Sequence, residues 1–259
     1  MTLARKRFGQ HFLHDPAVID RIARAIAPRP TDHLVEIGPG RGALTRRLLG
    51  DRLATLDGVE IDRDLAAALG AELAGDPRFT LHVQDALELD LEALSRLRGG
   101  RLRLAGNLPY NLSTPLLFRF LDSRRSVEDL HVMLQREVVA RIAAQPGTAQ
   151  YGRLTVMLAP YVRAERLFDV GPGAFHPPPQ VWSSVVRLDV LEEPAFPVAQ
   201  HYARIVATAF AHRRKTLRNG LRGLLEPEQI EACGLDPGAR PETLTPRAFN
   251  DLAAAAAGT

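Results

Sequence analysis

The stretch His33-Leu-Val-Glu-Ile-Gly-Pro-Gly-Arg-Gly-Ala-Leu-Thr-Arg-Arg-Leu-Leu49 decides how the rest of the chain is read. It opens as a short aliphatic strand, turns at Gly38, Gly40 and Gly42, and continues with apolar residues at helical spacing. Glycine at such a turn accepts positive φ and lets a ligand approach the backbone closely. The same alternation runs outward. Candidate strands are 33–38, 55–62, 79–85, 102–107, 130–135, 161–170 and 184–190, interleaved with helical patterns near 14–27, 42–50, 63–74, 91–98 and 113–123. Alternation of this kind predicts right-handed crossovers and a mostly parallel, doubly wound α/β sheet. Ligands of such sheets bind beyond the carboxyl ends of the strands.

The alternation stops after Val190. The segment Leu-Glu-Glu-Pro-Ala-Phe-Pro-Val-Ala-Gln200 reads as a linker, and 201–211, 213–225, 227–232 and 246–257 look helical. Asp15 before Pro16, and the prolines 227 and 246, suit helix starts. The expected organisation is a ligand-binding α/β domain over 1–192 and a small helical domain over 193–259.

Composition excludes several classes. With 259 residues, 46% apolar and 24% charged, the chain can bury a core unaided, which rules out disorder and disulfide scaffolds. Cys233 is the only cysteine, so no internal disulfide and no cysteine metal cluster can form. Use of one Cys fits a reducing compartment. No apolar run reaches the roughly 20 residues that span a bilayer, and the first fifteen residues lack a signal-type apolar core, so a cytoplasmic protein is expected. The net charge of +3 hides segregation: 31–95 holds 13 acidic and 6 basic side chains, whereas 201–222 holds 6 basic and no acidic ones. A basic block beside an acidic one suggests a face for a polyanion, although solvated helix faces would look the same.

The glycine loop alone fits two cofactors. Gly38, Gly40 and Ala43 satisfy the dinucleotide pattern G-x-G-x-x-G/A, and Glu60 follows at the distance of a ribose-binding acid. Glu36 just before the loop and Asp85 at the third strand end shift the balance to S-adenosylmethionine, a sulfonium cation whose adenine amine needs an acceptor. The fourth strand delivers Gly106-Asn-Leu-Pro-Tyr110. An exocyclic base amine is a poor nucleophile because its lone pair is delocalised into the ring. The Asn107 side-chain carbonyl and the Leu108 main-chain carbonyl are acceptors that can bias it toward tetrahedral geometry. Pro109 stiffens the turn, and Tyr110 offers a stacking face for an extruded base. The expected reaction is in-line methyl transfer governed by positioning and charge placement. Phe175, in the stiff Gly171-Pro-Gly-Ala-Phe-His-Pro-Pro-Pro179 loop, either closes the other side of the base pocket or packs in the core. His176 has no assigned role.

These motifs together resemble the ribosomal RNA adenine N6,N6-dimethyltransferase family, in its bacterial small-subunit (KsgA-type) branch. The resemblance covers nearly the whole chain and rests on KRFGQHFL (6–13), VEIGPGRGALT (35–45), VEID (59–62), QDAL (84–87), GNLPYNLSTPLL (106–117), MLQREVV (133–139), YGRLTVM (151–157), AFHPPPQVWSSVVRL (174–188) and AFAHRRKTLRN (209–219). It implies a Rossmann-like class I methyltransferase with a seven-stranded sheet. It implies S-adenosylmethionine contacts at His11, Leu13, Gly38, Glu60, Asp85 and Asn107, with His11 standing where the family often has Asn. It implies that Asn107, Leu108, Tyr110 and Phe175 hold the target adenine, and that Arg213, Arg214, Lys215 and Arg218 bind rRNA. The implied reaction places two methyl groups on each of two adjacent adenosines near the 3′ end of 16S rRNA. The implied substrate is a partly assembled 30S particle, with no metal, no membrane and a monomeric enzyme.

Three alternatives stay open at this level. A large-subunit adenine methyltransferase shares most motifs but not the basic string 209–219. An assembly checkpoint protein predicts that Asn107→Ala still supports subunit maturation. An NAD-dependent oxidoreductase shares the loop, yet the sequence offers no candidate for hydride chemistry.

Overall fold

In a computed structural model, the structure describes residues 10–256. The Lys6–Gly9 part of the N-terminal motif and Ala257 of the last expected helix lie outside the described residues. In chain order the elements are β1 (Phe12–Leu13), α1 (Pro16–Ile26), β2 (His33–Ile37), α2 (Ala43–Leu49), β3 (Thr55–Glu60), α3 (Arg63–Leu73), β4 (Phe79–Val83) and α4 (Leu91–Arg98). There follow β5 (Leu102–Asn107), α5 (Ser113–Asp122), β6 (Val127–Gln135), α6 (Arg136–Ile142), α7 (Arg153–Leu158), β7 (Val162–Val170), β8 (Phe175–His176) and β9 (Ser183–Val190).

Seven strands form one sheet in the order β4-β3-β2-β5-β6-β9-β7. Pairing is parallel from β4 through β6 and antiparallel between β6 and β9. The seven expected strands are therefore present, in the mostly parallel sheet of a Rossmann-like fold. β1 and β8 form a separate antiparallel pair, Phe12 opposite His176 and Leu13 opposite Phe175, which the sequence did not announce. Two residues per strand are too few for alternation to show.

Local chemistry explains where the helices start. The Asp15 carboxylate accepts from the Ala17 and Val18 N–H groups, and Pro16 occupies the first helical position of α1. The exit of α1 is held by Arg103 on β5. Its buried guanidinium donates to the Ile26 carbonyl (2.7 Å), to Asp32 (2.5 Å) and to Asp129 (3.0 Å). Orphan helix carbonyls and two buried carboxylates are thus satisfied by one cation at the amino ends of β5 and β6. Leu34, Leu48, Leu56, Ala105, Met133 and Val185 belong to the apolar core beneath.

The chain divides into two compact units, the first running to Val139 and resuming over Ala164–Val190, the second made of Ala140–Arg163 and the chain from Leu191. The second unit thus takes in a segment that the expected 1–192 boundary assigned to the first. Tyr151 explains why: it is fully buried and donates from Oη to the Leu244 carbonyl at 2.7 Å. Tyr202 likewise donates to the Val156 carbonyl at 2.8 Å. This unit carries α8 (Tyr202–Ala211), α9 (Leu217–Gly220), α10 (Pro227–Ala232) and α11 (Pro246–Ala255). The continuous helix expected over 213–225 is not formed. The Leu217 and Arg218 N–H groups donate instead to the Ala239 and Pro237 carbonyls, and Gly223 has φ +81°. Non-local hydrogen bonds thus override the local apolar periodicity.

Candidate active site

A cavity of about 390 Å³ opens at the carboxyl ends of β2, β3, β4 and β5. That volume belongs to the small-molecule class. Its lining includes His11, Gly38, Glu60, Asp85, Asn107, Leu108 and Tyr110, so seven of the expected site residues converge, together with Gly40 of the loop. The glycine loop is shaped for this. Gly40 takes φ +57°, and a Cβ there would sit 3.2 Å from the Phe12 ring. Gly106 matters from the other side, since a Cβ would run into the Ile37 carbonyl. β2 and β5 can therefore close together under the loop only with glycine at 106.

Glu60 ends β3 and is 5% exposed. Its Oε2 accepts from the Gly40 N–H at 2.9 Å and its Oε1 from the Asp62 N–H at 2.9 Å. Each oxygen keeps acceptor capacity for a ligand hydroxyl. Burial pushes this carboxyl above its ordinary range, opposed by the Asp62 and Gly40 N–H groups. Asp85 caps the following turn, accepting from the Leu87 N–H through Oδ1 at 2.9 Å, and still lines the cavity. Ile61, 45% exposed, supplies apolar wall between the two acids. A nucleoside is the ligand this pattern fits: an acceptor pair at one end, an acceptor for an amine at the other, and an aliphatic surface between.

Asn107 stands at the inner end. With its amide assigned so that Nδ2 donates to the His11 carbonyl at 3.0 Å, Oδ1 is left as an acceptor. The Leu108 N–H donates to the Met133 carbonyl at 3.2 Å, while no N–H among the described residues donates to the Leu108 carbonyl. Pro109 is fixed by its carbonyl, which accepts from Leu112 N–H and Ser113 Oγ, both at 3.0 Å. The Tyr110 hydroxyl is 2.6 Å from Ser183 Oγ on β9, and its ring lies 5.9 Å from the His11 ring at 29°. Burial raises the Tyr110 pKa, with the Ser183 hydrogen bond opposing, so the phenol stays neutral. Two unclaimed carbonyl oxygens beside a held aromatic are what a planar base amine requires.

The comparisons with known proteins agree with this geometry. The family model described as ribosomal RNA adenine dimethylase matches residues 1–257. The chain belongs to the ribosomal RNA adenine dimethylase family. Its members transfer methyl groups from S-adenosylmethionine to rRNA adenines, and the cavity residues fit that cofactor as a nucleoside. A ribosomal RNA small subunit methyltransferase A of Pseudomonas fluorescens is 52% identical over 252 residues, covering 96% of this chain and 93% of the relative. Among solved structures, a Plasmodium falciparum dimethyladenosine transferase superposes with TM-score 0.81 at 23% identity, over 93% of this chain and 96% of that one, which speaks to the fold. The 23S rRNA methyltransferase ErmE superposes with TM-score 0.74 at 28% identity, over 94% and 98%.

Two residues expected at the dimethylase site do not line this cavity. Phe175 is 2% exposed, belongs to the apolar core with Ile19, Met133 and Val185, and does not line the cavity. Of the two placements open for Phe175, the structure has the core one: the backbone pairing of β8 with β1 anchors it opposite Leu13. The ring that does stand beside Tyr110 is that of His11. Leu13 lines a smaller neighbouring cavity of about 50 Å³, shared with Glu36, Asn107 and His131. Among the basic tail residues, Arg214, Lys215 and Arg218 are exposed. Arg213 is partly committed, donating to the Ala149 carbonyl at 2.9 Å with Glu242 3.9 Å away.

Sequence reasoning missed His131 and the depth of Glu36 in this dimethylase. Glu36, Ala105 and His131 are register partners across β2, β5 and β6. Glu36 is 2% exposed, and its Oε2 has no partner among the described residues. Burial pushes its carboxyl up to about 7, with the Thr45 hydroxyl and Arg46 opposing and the charge of Glu60 adding. A raised carboxyl pKa means that the folded state holds the proton more tightly. Its stabilising contribution is complete below the ordinary value of 4.5 and is lost as pH rises toward about 7. Glu36→Gln is therefore expected to flatten the fall in Tm across that window, measured by thermal melting at a series of pH values. An unchanged pH profile would show that folding does not raise the Glu36 pKa.

Among the described residues no helix is long and apolar enough to cross a membrane, and no three His, Cys, Asp or Glu gather as for a metal ion.

Proposed function

We propose that this protein dimethylates N6 of two adjacent adenosines near the 3′ end of small-subunit rRNA, on a partly assembled 30S particle, as a cytoplasmic monomer. The observation that carries the choice of RNA is the 52% identity to a small-subunit methyltransferase over nearly the full chain, against 28% to the 23S enzyme. S-adenosylmethionine, when bound, supplies an electrophilic methyl group on a sulfonium. Glu60 and Asp85 hold the nucleoside part, and the acidic surroundings favour a cation. Asn107 Oδ1 and the Leu108 carbonyl accept from the two amine hydrogens of the target adenine and turn its lone pair out of conjugation. Tyr110, kept neutral and tied to Ser183, stacks on the ring. No strong base is needed, because the methylated amine becomes acidic and loses its proton to water. The role of positioning here is large, since well-oriented reactants can gain many orders of magnitude.

The test is direct. Small subunits from a strain lacking its own small-subunit adenine dimethylase are incubated with the protein and S-adenosylmethionine, then read by primer extension. Two adjacent strong stops near the 3′ end are expected. Stops in large-subunit rRNA instead would move the protein to the other branch.

Arg214, Lys215 and Arg218 form the exposed part of the basic turn after α8. Neutralising all three is expected to weaken binding to small-subunit RNA and to lower the slope of log K against log salt by about 0.7–0.9 for every phosphate that is no longer neutralised. Filter binding at several salt concentrations measures this, and an unaltered slope would take the turn out of the interface.

A further inference from the structure

Trp182 is the only tryptophan in the chain, and it is 49% exposed. Its neighbour Val181 is 43% exposed. An indole normally hides most of its large apolar area, so half-exposure at a fixed position asks for an occupant. The position is well fixed. The Trp182 carbonyl accepts from the Arg136 N–H at 2.9 Å, and the indole lies against Gly171, where a Cβ would sit 3.6 Å from the ring. The next residue, Ser183, is fully buried and carries the 2.6 Å bond to the Tyr110 hydroxyl. Two consecutive residues thus serve two sides: one secures the aromatic wall of the active site, the other presents an indole outside it.

The charge beside the indole narrows the occupant. The exposed Arg136 guanidinium lies 5.8 Å from the Trp182 ring centroid and makes no ion pair among the described residues. The carboxylate nearest in influence, Asp169, is already held by Arg166 at 2.5 Å and by Ser184 at 2.5 Å. Gln135 and Ser183 are register partners, so Arg136 and Trp182 flank the end of the β6–β9 pair. β6 runs parallel to β5, which places this corner on the sheet edge where β5 delivers Asn107. A flat apolar ring with an unpaired cation matches a flat base with its phosphate, a pairing that single-stranded nucleic acid sites use repeatedly.

We propose that Trp182 and Arg136 bind the nucleotide adjacent to the target adenosine, the indole stacking on its base and the guanidinium meeting its phosphate. This rests on the reading of the protein as an adenine methyltransferase and adds a second base-binding position outside the catalytic cavity. Two neighbouring target bases then have two aromatic surfaces, Tyr110 for the one that reacts and Trp182 for the one that waits.

The single tryptophan makes the test clean. A short single-stranded RNA with two adjacent adenosines, and the same RNA with an abasic site at one of them, are titrated into the full-length protein while indole emission is followed. Saturation is measured independently by filter retention. Loss of emission with the intact RNA, and a smaller loss with the abasic one, are expected. Trp182→Ala is expected to weaken RNA binding by about tenfold or more. Trp182→Phe, which keeps a stacking ring and a folded loop, should lose less. Unchanged emission at saturating RNA, or wild-type affinity in Trp182→Ala, overturns the proposal. So does a Trp182→Ala protein that binds RNA normally but binds the protein-containing 30S particle weakly, because the indole then docks on a ribosomal protein. Failure of the wild-type protein to methylate small subunits would instead sink the functional reading itself.

Discussion

Asn107→Ala is expected to lower kcat for methyl transfer by about 10²–10³-fold while leaving the protein folded. The magnitude is that of removing one preorganised polar group aimed at the reacting centre. Asn107 is half-buried at the end of β5, so truncation empties no apolar core. What disappears is Oδ1, the acceptor left over when Nδ2 holds the His11 carbonyl. The Leu108 carbonyl alone can engage only one of the two amine hydrogens. Asn107→Asp is the informative companion. It keeps an acceptor but sets a carboxylate oxygen against the His11 carbonyl, so partial activity is expected, with a shifted His11. Single-turnover methylation of small subunits, with melting curves as the folding control, measures both. Activity of Asn107→Ala within threefold of wild type would remove the side chain from the chemistry.

Glu60→Ala is expected to weaken S-adenosylmethionine binding by about 10–100-fold, the equivalent of a hydrogen bond to a charged group. It should also destabilise the unliganded protein. Both carboxylate oxygens accept backbone N–H groups, from Gly40 in the glycine loop and from Asp62 at the start of α3. Truncation leaves two donors without their partner, at about 1–3 kcal/mol each where they stay buried. Glu60→Gln separates the two effects. It retains one acceptor oxygen, so it should recover part of the stability while its affinity for the cofactor remains low. Calorimetric titration reports the first quantity and thermal melting without ligand the second. Affinity of Glu60→Ala within twofold of wild type would place the ribose elsewhere.

The sheet was legible because its evidence is local. Each strand shows an aliphatic run, each crossover shows helical periodicity, and α1 carries the start signal Asp15-Pro16. The acids Glu60 and Asp85 were legible for a related reason: in a parallel sheet, residues at or just past the carboxyl end of a strand are carried to the ligand edge whatever their neighbours do. Phe175 was ambiguous because a single aromatic in a proline-rich loop has no period, and its direction depends on a two-residue strand pair with Phe12 and Leu13. The same pair brings His11 over Tyr110, a contact between residues 99 positions apart that no spacing encodes. The helix expected over 213–225 failed for a comparable cause, since donors at Leu217 and Arg218 found partners twenty or so residues away.

By itself, then, the amino-acid order determined the class of fold, and the loop, acids and Asn-Leu-Pro-Tyr turn that line the cavity. Those features depend on residues near one another in the chain, where periodicity and turn chemistry act. Only the tertiary structure decided which aromatic stands beside Tyr110, how deeply Glu36 is buried, which unit holds 140–163, and that Trp182 faces outward beside Arg136. Those outcomes are set by contacts between distant segments, whose energies exist only once the sheet has assembled and the water between them is gone.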